Sequence, residues 1–156
     1  MDAVRVYADT SVFGGAYDDE FRDPSLRFFA QVRRREFLLV SSAVVEAEIT
    51  RAPENVKRLF DEMLGYADLV TVTQGALDLR DAYMDAGIVG PRSADDALHV
   101  AVATDAGCTL IVSWNFQHIV HFQKIPLYNA MNVLRGYNAV SIYSPREVIE
   151  YEDEAF

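Results

Sequence analysis

The stretch Val4-Arg5-Val6-Tyr7-Ala8-Asp9-Thr10-Ser11 decides how the rest of the chain is read. Its first five residues form a short, largely apolar run with β-branched and aromatic side chains, the composition of a strand. The acid and two hydroxyls that follow suit a strand-to-helix junction. An acid placed directly after a buried strand puts charge at the boundary of the core, where a solvated surface residue is not expected.

The same alternation recurs outward from this point. After a loop at Gly14-Gly15 and Asp18 to Asp23, Pro24 can open a helix through Arg27, Phe28 and Val32 to Arg35. Phe37-Leu38-Leu39-Val40 is too short for a helix and reads as a second, buried strand. Ser41-Ser42 caps a helix from about Ala43 to Thr50, and Pro53 starts another with Val56, Leu59, Phe60 and Met63 at helical spacing. Leu69 to Val72 is expected as a third strand and Ala76 to Ala86 as a helix closed by Gly87 and Gly90-Pro91. Ser93 opens the next helix, through Val100 to Thr104. Thr109 to Val112 reads as the fourth strand, Asn115 to Leu134 as a loop-helix region, and Val140 to Tyr143 as the fifth strand. Ser144-Pro145 begins a last short helix before an acidic tail of Glu150, Glu152, Asp153 and Glu154. Strands alternating with helices require crossovers, hence an α/β fold with a parallel sheet of about five strands between helices.

A chain of 156 residues, 51% hydrophobic, fits one domain over residues 1–156 with a substantial core. The N-terminus lacks the charged start and apolar run of a signal peptide, and no apolar stretch approaches the roughly 20 residues of a membrane span. With no membrane segment, and with Cys108 as the single cysteine, a reducing cytoplasm is the expected setting, and a cysteine-rich metal site is excluded. The formal net charge of −10 disfavours an extended polyanion-binding face. Nucleic acid would have to meet a local basic patch, with Arg33, Arg34 and Arg35 or Arg51, Lys57 and Arg58 as candidates. The acidic surface otherwise suits a basic protein partner.

Ligands of such sheets bind beyond the carboxyl ends of the strands. Asp9 follows the first strand, and Ser113 to Asn115 follow the fourth. Glu46 and Glu48 sit on the helix leaving the second strand. Asp96 occupies the first turn of a crossover helix, which runs antiparallel to the strands and so begins at the same edge. Topology alone thus gathers distant carboxylates on one rim. Holding several ionised there requires a cation or protonation, and oxygen ligands without His or Cys select Mg²⁺ or Mn²⁺. Such an ion suits phosphodiester hydrolysis.

Plainer readings stand beside these. Ser93-x-x-Asp96 fits a capping box. A single Glu on a helix is by default solvated, and the poorly defined apolar face of Val44, Val45, Ala47 and Ile49 does not separate Glu46 from Glu48. Thr10 and Ser11 read first as caps. His99 shares a face with Asp95 and Asp96 and reads first as a hydrogen-bonded structural histidine, with ligation as the alternative. His118 and His121 lack a third ligand. Trp114 packs at the end of the fourth strand or stacks on a base.

Tyr7-Ala8-Asp9-Thr10-Ser11-Val12-Phe13, Ser42 followed by Glu48-Ile49, Asp96-Ala97-Leu98-His99-Val100-Ala101 and Val112-Ser113-Trp114-Asn115-Phe116 together resemble PIN-domain nucleases. The likeness is to VapC-type toxins of bacterial toxin-antitoxin pairs and spans roughly Val6 to Val148. It implies a three-layer α/β/α fold, a Mg²⁺- or Mn²⁺-dependent endoribonuclease, neutralisation by a small antitoxin and a homodimer. It also places the family's three acids on Asp9, Glu48 and Asp96, choosing Glu48 over Glu46. Asn115 completes the rim where many members carry Asp, and an amide cannot give a second cation the same charge. The competing class is a PIN-like scaffold that has lost catalysis and acts through protein contacts. A phospho-acceptor receiver domain lacks its Lys after the last strand, and no G-x-G-x-x-G marks a dinucleotide site.

Overall fold

Five strands pair in parallel in the computed structural model, which describes residues 3–150. They are β1 (Val4–Ala8), β2 (Phe37–Ser42), β3 (Ala67–Val70), β4 (Leu110–Val112) and β5 (Ser141–Tyr143), in the sheet order β3-β2-β1-β4-β5. The helices are α1 (Thr10–Gly15), α2 (Arg22–Arg33), α3 (Ala43–Ile49), α4 (Glu54–Leu64), α5 (Gln74–Asp85), α6 (Ala94–Asp105), α7 (Ile125–Leu134) and α8 (Pro145–Val148). Among them α1, α2, α4 and α8 pack together, as do α5, α6 and α7, giving the expected three layers. No described helix is long and apolar enough to cross a membrane. The expected acidic tail lies, beyond Glu150, outside the described residues.

Strand β1 is the middle of the sheet, and Val6, Tyr7 and Ala8 are fully buried, as a parallel strand covered on both faces must be. Helix α6 buries every residue from Ala97 to Thr104; its small side chains at Ala97, Ala101 and Ala103 let it lie close to its neighbours. The chain lays β2 and β3 on one flank of β1, then crosses back to place β4 on the other. The crevice at the carboxyl ends of β1 and β4 is therefore the switch point where α/β sheets bind ligands.

Several boundaries depart from expectation. The Gly14-Gly15 region is not a loop but the end of α1, and an added Cβ at Gly15 would stand 2.7 Å from both Ser25 Oγ and Trp114 Nε1. Glycine serves there for close packing of the Trp114 indole rather than for a turn. Strand β3 begins and ends two residues earlier than Leu69 to Val72. It is an edge strand with Leu69 exposed, so its apolar run did not mark its limits. The capping box does not form: Ser93 makes no side-chain cap bond and closes a 3-10 turn at Pro91–Ser93 that runs into α6.

Helix α7 is sparsely covered, with only Tyr128 and Asn132 buried. Phe122 just before it is 91% exposed, and Leu127, Val133 and Leu134 on it are also exposed. No Asp or Glu occurs between Asp105 and Glu147, in a chain otherwise rich in acid.

Candidate active site

Asp9 sits where β1 ends, in the N-cap position of α1, yet its side chain does not cap that helix. It is 4% exposed, and its carboxylate accepts instead from two hydroxyls: Ser11 Oγ on Oδ1 at 2.5 Å and Ser113 Oγ on Oδ2 at 2.8 Å. Burial pushes its pKa above the usual carboxylate range, and the Glu48 charge adds to this. The His99 imidazole and the two serine hydroxyls oppose it.

Glu48 is half-buried on α3, three residues after the buried Val45, while Glu46 faces solvent. Ser42 caps this helix, accepting from the backbone N–H groups of Val44 and Val45. Glu48 Oε1 receives Thr10 Oγ1 at 2.8 Å and His99 Nε2 at 2.5 Å. Burial alone would raise its pKa; the His99 contact, helped by Thr10 and the Arg51 charge, holds it below the ordinary value. Burial likewise works to lower the His99 pKa, but Glu48, Asp9 and Asp96 together hold it above its usual range.

His99 spends both ring nitrogens, Nε2 on Glu48 and Nδ1 on Tyr7 Oη at 2.7 Å, so it is a structural histidine and has no lone pair left for a metal. Tyr7 is buried and burial drives its pKa far upward, which keeps it a hydroxyl donor. Its presence beside the site was not read from the sequence, where it counted only as strand and as part of a motif. The signal was an aromatic with a polar tip in the most buried strand, since such a hydroxyl must find a partner.

Asp96 lies in the first turn of α6, part-exposed, with no hydrogen bond or ion pair among the described residues; its charge is felt at His99 and Tyr128. Glu48 is thus tied to Thr10, the residue after Asp9, and to His99, which the charges of Asp9 and Asp96 also reach. No three His, Cys, Asp or Glu side chains among the described residues stand close enough to form a ready metal cage. Asn115 is engaged locally, where its Oδ1 accepts from the His118 backbone N–H at 3.0 Å and closes a turn.

Two expectations change here. Trp114 is 6% exposed, stacked on Phe21 at 4.1 Å, with the Arg146 guanidinium 5.6 Å from its ring, so no face is open to a base. The Arg33-Arg34-Arg35 run lies before β2, at the amino edge of the sheet away from the site. There Arg33 pairs with Glu62 and Arg34 with Glu36, while Arg35 lies over the Tyr66 ring. Arg51, just beyond α3, is the basic residue whose charge reaches Glu48.

By the chemistry of their oxygens, though not as a closed cage, the Asp9, Glu48 and Asp96 carboxylates suit a hard divalent cation. Glu48 Oε2 and both Asp96 oxygens carry no hydrogen bond among the described residues, and Asp9 is a desolvated acid whose ionised form a cation would favour.

No family model matches the sequence, and no curated protein does so either. Solved structures do. The DNA-bound VapBC of Salmonella typhimurium matches with a TM-score of 0.57 at 16% identity, over 91% of this chain and 98% of that one. VapBC2 of Rickettsia felis, bound to a DNA fragment from its promoter, gives 0.56 at 13% identity, over 89% and 97%. VapC20 of Mycobacterium tuberculosis, described as a Sarcin-Ricin loop cleaving toxin, gives 0.52 at 15% identity, over 72% and 92%.

Proposed function

We propose, from a chain that has the fold of the VapC toxins, that this protein is a divalent-cation-dependent endoribonuclease and the toxin of a toxin-antitoxin pair. The observation that carries the reading is Asp9, a buried acid at the switch point of the sheet, coupled to Glu48 through Thr10 and His99. A carboxylate costs free energy in such a place unless a cation compensates it.

Asp9, Glu48 and Asp96 would hold Mg²⁺ or Mn²⁺. Such an ion, when bound, neutralises phosphate oxygens and lowers the pKa of a water. In the implied hydrolysis water would add to phosphorus as the bond to the bridging ribose oxygen breaks, the water giving up a proton and the departing oxygen taking one up. Ser11 and Ser113 fix both oxygens of Asp9, and Arg51 is the nearest candidate to meet the RNA backbone. Because Asn115 closes a turn, it orients the rim rather than supplying charge to a second ion.

The partners follow from charge. The acidic surface suits a small basic antitoxin, whereas α7 offers an apolar face free of acid, through which a second copy can approach without like-charge repulsion. Leu134→Glu is expected to convert a dimer into a monomer by light scattering on a sizing column.

Cleavage of a structured RNA should require Mg²⁺ or Mn²⁺, stop on chelation, and fall on the order of 100-fold or more in Asp96→Asn. Equal cleavage by that variant under matched metal would remove Asp96 from the site. The second reading, a scaffold acting through protein contacts, draws on the commitment of Asn115 to its turn. Intact antitoxin binding with no cleavage and no Mn²⁺ uptake would favour it.

A further inference from the structure

Each short segment of chain that bears one of the three carboxylates also supplies one member of a buried hydrogen-bonded string. Tyr7 lies two residues before Asp9 on β1, Ser42 six before Glu48 at the head of α3, and His99 three after Asp96 on α6. Tyr7 Oη is 2.8 Å from Ser42 Oγ and 2.7 Å from His99 Nδ1, and His99 Nε2 is 2.5 Å from Glu48 Oε1. Tyr7 and Ser42 have no exposed surface and His99 has 2%.

The direction of the string follows from its anchored end. Ser42 Oγ already accepts from the N–H groups of Val44 at 3.2 Å and Val45 at 3.4 Å. A hydroxyl has two lone pairs and one proton, so Ser42 gives its proton to Tyr7, and toward a neutral imidazole Tyr7 gives its own to His99 Nδ1. That tautomer carries its proton on Nε2, and so does the imidazolium that the neighbouring carboxylates favour, so Nε2 donates to Glu48 in both charge states. Thr10 donates to the same Glu48 oxygen at 2.8 Å. Both ties fall on Oε1 and leave Oε2 without a donor among the described residues.

The geometry points to Ser42, Tyr7 and His99 as positioning residues that fix which Glu48 oxygen is tied down and which is presented to a divalent cation. This rests on the cation reading of the site given above. A network serving the core alone would close on buried groups. This one ends on a part-exposed carboxylate that water could have satisfied, and it joins the three elements whose spacing a shared ion must respect. Outer partners of this kind orient ligands and govern affinity.

Two readouts test it on the full chain. In nitrogen-15 spectra of the parent, the His99 Nε2 proton is expected downfield and protected from exchange, and it should move upfield in Glu48→Ala. A missing Nε2 proton, or one that Glu48→Ala leaves in place, overturns the string. By calorimetry, His99→Leu is expected to weaken Mn²⁺ binding roughly ten- to a hundredfold. His99→Gln, which keeps a donor near the Nε2 position, should recover most of that loss. Unchanged affinity in folded His99→Leu, or equal loss in both variants, overturns the positioning role. Should His99→Leu fail to fold, Tyr7→Phe removes a single oxygen and carries the same comparison, weakened affinity supporting the role and parental affinity overturning it. A parent that takes up no Mn²⁺ overturns the cation reading instead, with the spectra still deciding whether the string exists.

Discussion

Ser113 Oγ donates to Asp9 Oδ2 at 2.8 Å, joining the ends of β4 and β1 across 104 residues of chain. The contact closes the crevice between the two central strands over a carboxylate that burial has made reluctant to ionise. Fold and site are strained against each other at this point, and most of the measurable consequences begin there.

Removing the charge should help the fold and harm the chemistry. Asp9→Asn is expected to raise the unfolding free energy of the cation-free protein by about 1–2 kcal/mol, in the range typical of relieved functional sites, while abolishing metal-dependent cleavage. Urea denaturation of both proteins in chelator checks the first part. A destabilised variant would mean that the buried charge is net favourable as it stands.

Acidity should stabilise the cation-free protein. Asp9 and His99 both have folded-state pKa values above their unfolded ones. Each therefore binds more protons when folded, and stability falls as pH rises through their folded values. Glu48 has the opposite shift, and its contribution is lost only as pH falls below the ordinary carboxylate range. Unfolding free energy is thus expected to be larger at about pH 6 than at about pH 8, with a smaller difference in Asp9→Asn. A flat profile in the parent would contradict the assigned direction of the His99 shift.

Two glutamates two residues apart should behave differently. Glu46 is exposed, so Glu46→Gln is expected to leave stability within about 0.5 kcal/mol and cleavage unchanged. Glu48→Gln loses the charge that His99 and Thr10 hold in place and should lose cleavage. Side-by-side rate measurements decide it, and similar rates for the two variants would remove Glu48 from the site.

The sequence alone carried the fold a long way, because β1, β2 and β4 are apolar runs bounded by polar residues and too short for buried helices. It carried the site less evenly. Asp9 and Asp96 were legible from topology, but Glu48 was separable from Glu46 only by resemblance, since four apolar residues around them blur the face that α3 buries. In the fold only Val45 and Ile49 are buried there, and Glu48 flanks that stripe. Ser113 was marked only by its place after β4, and Tyr7 and Ser42 only as members of a motif, without the contacts they make. Their roles depend on side chains meeting across three elements, and no local spacing records that.

Gly15 gives a test of packing rather than chemistry. Its missing Cβ makes room for Trp114 and Ser25, whose hydroxyl accepts from the indole N–H at 2.9 Å. Gly15→Ala should cost about 1–3 kcal/mol through overpacking. It should also shift the emission of the single tryptophan to the red as the indole is pushed toward solvent. Unchanged emission and melting would show that the indole can give way without loss.

The order of the strands also bears on how the molecule comes into being. A chain that has left the ribosome only as far as α6 already holds Asp9, Glu48 and Asp96, but β1 is then a bare outer strand, and Ser113 has not been made. The pocket is therefore a late product of synthesis, completed only when β4 slides into place beside β1.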